Sequence, residues 1–242
     1  MKKPYTHLQQ GVIDHKNKLI MLFTPRAGCT IGYQMMFEHL GLFTEEMYDR
    51  TRLHKYRYEC FHKTHGMIND ILLKSYKVFK LVRNPYARAV SSFLFIIVEK
   101  MTELYNLSFY DYLKILKEHN MRFVYQNKEY PYISNHAIIQ YDTNEESYLK
   151  DIIKLEQAQD DLNAKINGPL QLNLQIANKK SNHHIQRTGQ VRNLMYLPIH
   201  QFKDNIPLSY KQSFYDDTIK SLVDELYGID IQKYGYSFDD DF

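Results

Sequence analysis

Two short apolar runs, each leading at once through a proline-bearing turn into a helix-like pattern, limit the folds open to this chain. The first, from Lys18 to Thr24, ends in Pro25 and Gly28; apolar residues then recur at helical spacing from Ile31 to Leu40, where Gly41 stops them. The second, from Lys77 to Val82, is β-branched and aromatic and is followed by Asn84-Pro85. Proline suits the first turn of a helix because its missing N–H would lack a partner there anyway. That helix is predicted to run to about Glu99. Similar signs predict a strand from Tyr58 to Phe61 and a helix from Ser108 to Glu118 capped by Ser108. A strand from Ile152 to Leu155 then feeds a polar helix from Gln157 to Ile166, which Gly168-Pro169 ends. Strands alternating with helices predict an α/β fold, a mainly parallel sheet flanked by helices on both faces. Ligands of such sheets bind beyond the carboxyl ends of the strands, so the loops after Phe23, Phe61 and Val82 are the places to look.

Composition narrows the partners. The chain has 242 residues, 44% apolar and 24% charged, within ordinary globular usage. No internal repeat, low-complexity stretch or Gly/Ser linker divides it, so a single domain over residues 1–242 is expected. A formal charge of +3, spread without a basic run, gives no reason to expect nucleic acid as a partner. Cys29 and Cys60 are too few for a disulfide scaffold and have no zinc spacing, which fits a reducing cytoplasm. The first apolar run, Leu19 to Phe23, is too short for a signal segment or a membrane span, so no export is expected.

The loop Thr24-Pro25-Arg26-Ala27-Gly28-Cys29-Thr30 joins a strand to a helix. Such a loop turns unpaired backbone N–H groups and the positive helix end toward an anion. Gly28 lets the backbone approach closely, Thr30 offers a hydroxyl, and Arg26 adds a permanent charge. The loop lacks the Gly-x-x-x-x-Gly-Lys-Ser/Thr spacing of a Walker loop. Taken alone, it is explained equally well as an ordinary strand-to-helix turn.

A second element, Arg83 through Ser92, adds a phosphate-binding pattern. An Arg at a strand end can grip a phosphate with two hydrogen bonds, and Ser91, eight residues on, can reach the same side from the helix. Here the chain resembles the sulfotransferases that use 3′-phosphoadenosine 5′-phosphosulfate (PAPS). Their 3′-phosphate motif has an Arg and a Ser at the spacing of Arg83 and Ser91. The first loop is similar to the family's 5′-phosphosulfate loop, Pro-Lys-Ser-Gly-Thr-Thr: Pro25, Gly28 and Thr30 match, Arg26 replaces Lys, and Ala27 and Cys29 replace hydroxyl residues. Arg26 keeps the charge but, being always protonated, is a poor proton donor to a leaving phosphate.

The resemblance extends along the chain, from about Lys18 to Phe238. Asp151 to Glu156, followed by Asp160-Asp161, resembles a late strand and helix of carbohydrate sulfotransferases and their bacterial relatives. His136 and Gln140 reproduce that branch's His-x-x-x-Gln, and Tyr227 to Asp230 with Tyr234-Gly235-Tyr236 resembles its ending. The implied fold is the P-loop-NTPase-like sulfotransferase fold. The implied reaction moves a sulfuryl group from PAPS to a hydroxyl or amine of a small-molecule or glycan acceptor, leaving 3′-phosphoadenosine 5′-phosphate (PAP), with no metal. Lys63-Thr64-His65 matches the Lys-Thr-His of cytosolic sulfotransferases, whose His is the general base. His65 is thus the expected base, with Arg26 and Lys63 stabilising charge. His62 and Glu59 lie close by in sequence. Arg187, in a segment similar to the cytosolic Arg-Lys-Gly, is a further expected phosphate contact. Adjacent His183 and His184 suit a solvated loop better than a metal site, since neighbouring side chains point apart. Glu156 suits a structural role.

Two other classes fit the same layered pattern. A nucleoside or nucleotide kinase with a degenerate phosphate loop would need a Walker Lys and a magnesium-binding Asp, and the sequence places neither. A non-catalytic PAP-binding relative would bind the nucleotide without turnover.

Overall fold

The computed structural model describes residues 11–61, 66, 68–166, 187–189, 193–204, 206–207 and 210–240. In chain order its main strands are β1 (Gly11–Asp14), β2 (Leu19–Phe23), β3 (Lys77–Val82) and β4 (Leu149–Lys154). The helices that matter below are α1 (Cys29–His39), α2 (Arg50–Tyr56), α3 (Asp70–Ser75), α4 (Pro85–Val98), α5 (Phe109–Glu118), α6 (Pro131–Ala137), α7 (Ala158–Lys165) and α8 (Asp217–Tyr234). The chain forms two compact units, one from residues up to 82 and 142–183, the other from residues 83–141 and 184–242.

The first unit is built on a sheet ordered β1-β2-β3-β4. β2, β3 and β4 run parallel, with Phe23 beside Leu81 and Lys80 beside Ile152, while β1 pairs antiparallel with β2. The mainly parallel α/β sheet expected from the sequence is therefore present. Side chains alternate across a sheet, and here both faces are covered within the unit. Met21, Phe23, Phe79, Leu81 and Ile153 pack on one face with Tyr33 and Phe37 of α1, Leu53 of α2 and Leu162 of α7. Ile13, Ile20, Leu22 and Val78 pack on the other with Leu73 of α3 and with Tyr148. β1 is an addition to the strands expected from the sequence. It is four residues long and reaches β2 through a tight turn in which Asp14 accepts the Asn17 backbone N–H at 3.0 Å.

One strand expectation is corrected. Tyr58 to Phe61 is not a strand; Arg57–Phe61 is a π-helical turn that continues α2. Leu53, Arg57 and Phe61, four residues apart, are all buried, so the same helical face stays against the core through the wide turn. Phe61 lies 5.0 Å from the Phe37 ring, and the Arg57 guanidinium sits 4.8 Å over Tyr33. Packing at helical spacing thus overrides the strand preference of an aromatic run.

The second unit is helical around Phe93, Phe109, Tyr112, Phe214, Ile219 and Tyr227. α4 follows β3 directly. As the sequence predicts, Pro85 occupies its first turn, and the Asn84 side chain accepts the Tyr86 N–H at 2.9 Å. Pro85 through Ile96 are all buried, consistent with a helix that is apolar nearly all round. Ser108 caps α5 as expected, and Asp111 completes a capping box, each side chain taking the other residue's N–H at 3.1 Å. Such a cap contributes on the order of 1 kcal/mol.

Candidate functional site

β2 and β3 are parallel and in register, so the chain leaves both strands at the same edge of the sheet. The loop after β2 has an unusual backbone. Arg26 has φ 65° and Gly28 has φ 86°, so two residues of the turn are left-handed. A left-handed non-glycine residue costs about 1–3 kcal/mol and persists only where its surroundings impose it, which is a mark of ligand-holding turns. Gly28 is required here: a Cβ would lie 2.9 Å from Leu155 Cδ1 and 3.1 Å from Leu81 Cδ2, besides the strain of its φ. Gly28 is also the N-cap of α1, and no side chain caps that helix. The first N–H groups of a helix have no intrahelical acceptor, so they and the helix dipole make this end a seat for an anion. Ala27 is fully buried, whereas Arg26, Cys29 and Thr30 are half-buried. Arg26 lies on this turn and Thr30 in the first turn of α1, so a cationic and a hydroxyl residue flank the helix start.

Arg83 is the first residue past β3. It is half-buried, and its main chain is gripped from both sides by the side chain of Gln140. Gln140 Oε1 accepts the Arg83 N–H at 2.9 Å, and Gln140 Nε2 donates to the Arg83 carbonyl at 2.8 Å. Gln140 is itself fixed. Its N–H donates to both carboxylate oxygens of Asp230, at 2.9 and 2.8 Å, and the Tyr141 N–H donates to the same carboxylate at 2.7 Å. One turn earlier on α8, the Tyr227 hydroxyl donates to the Ala137 carbonyl at 2.8 Å. Burial pushes that phenol well above its usual range, with the Asp230 charge adding to the effect and Arg88 opposing it. Tyr227 stays a neutral donor.

Ser91 is buried on α4. Its neighbour Ser92 is committed to structure, donating to the His136 carbonyl at 2.7 Å. The His136 ring stacks on Phe95 with centroids 4.0 Å apart, and its Nδ1 lies 2.7 Å from the Tyr132 carbonyl. A carbonyl can only accept, so Nδ1 carries the hydrogen, and His136 is a packed residue of α6. Glu156 is exposed on a short turn after β4. The strand end is held instead by Asp161, whose carboxylate takes the Lys154 N–H at 2.7 Å and pairs with Lys165 at 2.8 Å.

Lys63, Thr64, His65 and His62 lie outside the described residues, as do His183 and His184. Arg187 begins a three-residue strand beside Ile206, and its side chain is outside the described part. Glu59 is exposed, 3.9 Å from Lys55. Among the described residues no three His, Cys, Asp or Glu side chains gather as a metal would require, and no helix is long and apolar enough to cross a membrane. The sequence pattern Tyr227-x-x-Asp230 assigns Asp230 no role of its own. Its partners are ninety residues away, and nothing local in the sequence could supply them.

No curated protein and no solved structure matched the chain. The model of the sulfotransferase family matches residues 9–237, running through both compact units. With that match covering nearly the whole chain, the protein belongs to the sulfotransferase family.

Proposed function

We propose that this chain transfers a sulfuryl group from PAPS to a hydroxyl or amine, with a glycan as the preferred acceptor class and PAP as the second product. The observation that carries the reading is the turn after β2, where left-handed Arg26 and Gly28 precede an uncapped helix. On this reading Arg26, Thr30 and the backbone N–H groups of Gly28 and Cys29 hold the 5′-phosphosulfate, while Ala27 shapes the loop, its N–H donating to the Thr24 carbonyl at 3.1 Å. Arg83 and Ser91 hold the 3′-phosphate, and Arg187 adds a further phosphate contact. The acceptor oxygen or nitrogen forms a bond to sulfur as the bond from sulfur to the 5′-phosphate oxygen breaks. His65 takes the acceptor's proton, and Arg26 and Lys63 offset charge on the transferring group and the departing phosphate. Positioning and charge stabilisation dominate such transfers, as in phosphoryl transfer. Both units then serve one sulfotransferase domain.

PAP should raise the unfolding temperature, by linkage worth about 2.7 kcal/mol at a hundredfold excess over its dissociation constant. Adenosine 5′-phosphosulfate, which lacks the 3′-phosphate, should bind more weakly in calorimetry. Arg83→Ala is expected to lose roughly 10–150-fold in PAP affinity, the equivalent of about 1.5–3 kcal/mol for hydrogen bonds to a charged group. Unchanged PAP affinity in the folded variant would remove Arg83 from the site. Labelled PAPS offered with acceptor pools tests the reaction itself. Magnesium-dependent ATP hydrolysis would instead favour the kinase class, and PAP binding without turnover would favour a binding protein.

A further inference from the structure

We infer that Gln140 is a positioning residue for the 3′-phosphate: its side-chain amide sets the main chain of Arg83, and Asp230 sets Gln140. The inference rests on the proposal that Arg83 grips that phosphate. The direction of a long Arg side chain depends first on the φ and ψ of its own residue, and Arg83 stands where strand pairing ends and the cap of α4 begins. At such a junction a peptide unit has left its ladder neighbours and has not yet entered the helix. Gln140 supplies the missing partners, one acceptor and one donor, in the pattern a neighbouring strand would offer.

The support is layered and buried. Gln140 and Asp230 are both fully buried, so the bonds between them are shielded from competing water. Asp230 holds the Gln140 and Tyr141 N–H groups while Tyr227, three residues earlier on α8, holds the Ala137 carbonyl. The segment that carries Gln140 is thereby pinned on both sides to one helix. The paired motifs His136-x-x-x-Gln140 and Tyr227-x-x-Asp230 then have a common task, carried mainly by their last residues: to fix where Arg83 starts.

The test compares affinities for PAP and adenosine 5′-phosphosulfate by calorimetry, since only PAP carries the 3′-phosphate. Gln140→Met keeps length and packing but removes both bonds to Arg83. It should lower PAP affinity about tenfold, the scale of one to two net hydrogen bonds, and leave adenosine 5′-phosphosulfate within about twofold. Gln140→Leu, which also lacks both bonds, should show the same selective loss and carries the test if Gln140→Met does not fold. Leu116→Ala, a core truncation on α5, should lower stability while keeping the wild-type ratio of the two affinities. In an Arg83→Ala background the Gln140 change should have no further effect on PAP. A folded Gln140→Met with the wild-type ratio, or with equal losses for both nucleotides, overturns the inference while a PAP loss in Arg83→Ala keeps the Arg83 reading. Unchanged PAP affinity in Arg83→Ala overturns both.

Discussion

Glu145→Ala should destabilise the folded protein by about 3–5 kcal/mol, seen as a lower urea midpoint at unchanged slope. Lys80, in the middle of β3, points its ammonium at the Glu145 carboxylate, and the two side chains are 1% and 3% exposed. Glu145 also accepts the Asp142 N–H at 3.2 Å. Removing the carboxylate takes away the buried ammonium's counter-charge, and deleting one member of a buried ion pair costs far more than the pair contributes in net terms. The double variant Lys80→Met/Glu145→Met should therefore recover much of the loss. If Glu145→Ala costs less than about 1 kcal/mol, the ammonium has found water or another acceptor, and the pair is dispensable. The consequence for the site lies in register. Lys80 faces the side of the sheet opposite Phe79 and Leu81, so a slip of β3 by one residue would drive the charge among Phe23, Tyr33 and Phe37. The pair thus disfavours misplaced versions of the strand that leads into Arg83.

What was legible in the sequence was local. β2 with α1, β3 with α4, and the Ser108 cap announce themselves within a dozen residues each, through short apolar runs, helical spacing and a cap or proline at the right place. The pattern of Tyr58 to Phe61 was equally local and misleading, because its burial is decided by Tyr33 and Phe37 on another helix. The first loop shows the same limit. Its residue types suggested an anion seat, but the left-handed backbone at Arg26 could not be read from an Arg, which seldom adopts it. For the residue after β3, the sequence supplied Arg83 and the helix that follows. It supplied the letters Gln140 and Asp230 as well, but not that one holds Arg83 across fifty-seven residues and the other holds Gln140 across ninety. Hydrogen bonds of that span have no period and no neighbouring signal.

His65→Ala should lower turnover by about 10²–10⁴ while leaving PAP affinity close to that of the unaltered protein. A general base acts on the acceptor's proton and makes no demand on the donor's phosphates, so binding and chemistry separate in this variant. Arg83→Ala should show the opposite pattern, with weakened PAP binding, and the pair of variants distinguishes donor grip from acceptor activation. The acceptor decides whether the loss is visible. A phenol that ionises readily needs little help and can hide it, whereas a sugar hydroxyl, whose proton leaves only with assistance, should show the full effect. Single-turnover rates are the measurement to use, because slow release of PAP would mask a change in the chemical step. Wild-type single-turnover sulfation of such a hydroxyl by His65→Ala would exclude His65 as the base. The same assay would then be run on His62→Ala and Glu59→Gln. Of these, Glu59 is exposed beside Lys55, so as a base it would have to work in contact with solvent. An imidazole's ordinary pKa lies near the operating pH, where a general base is most effective, and that is the physical ground for testing the imidazoles first.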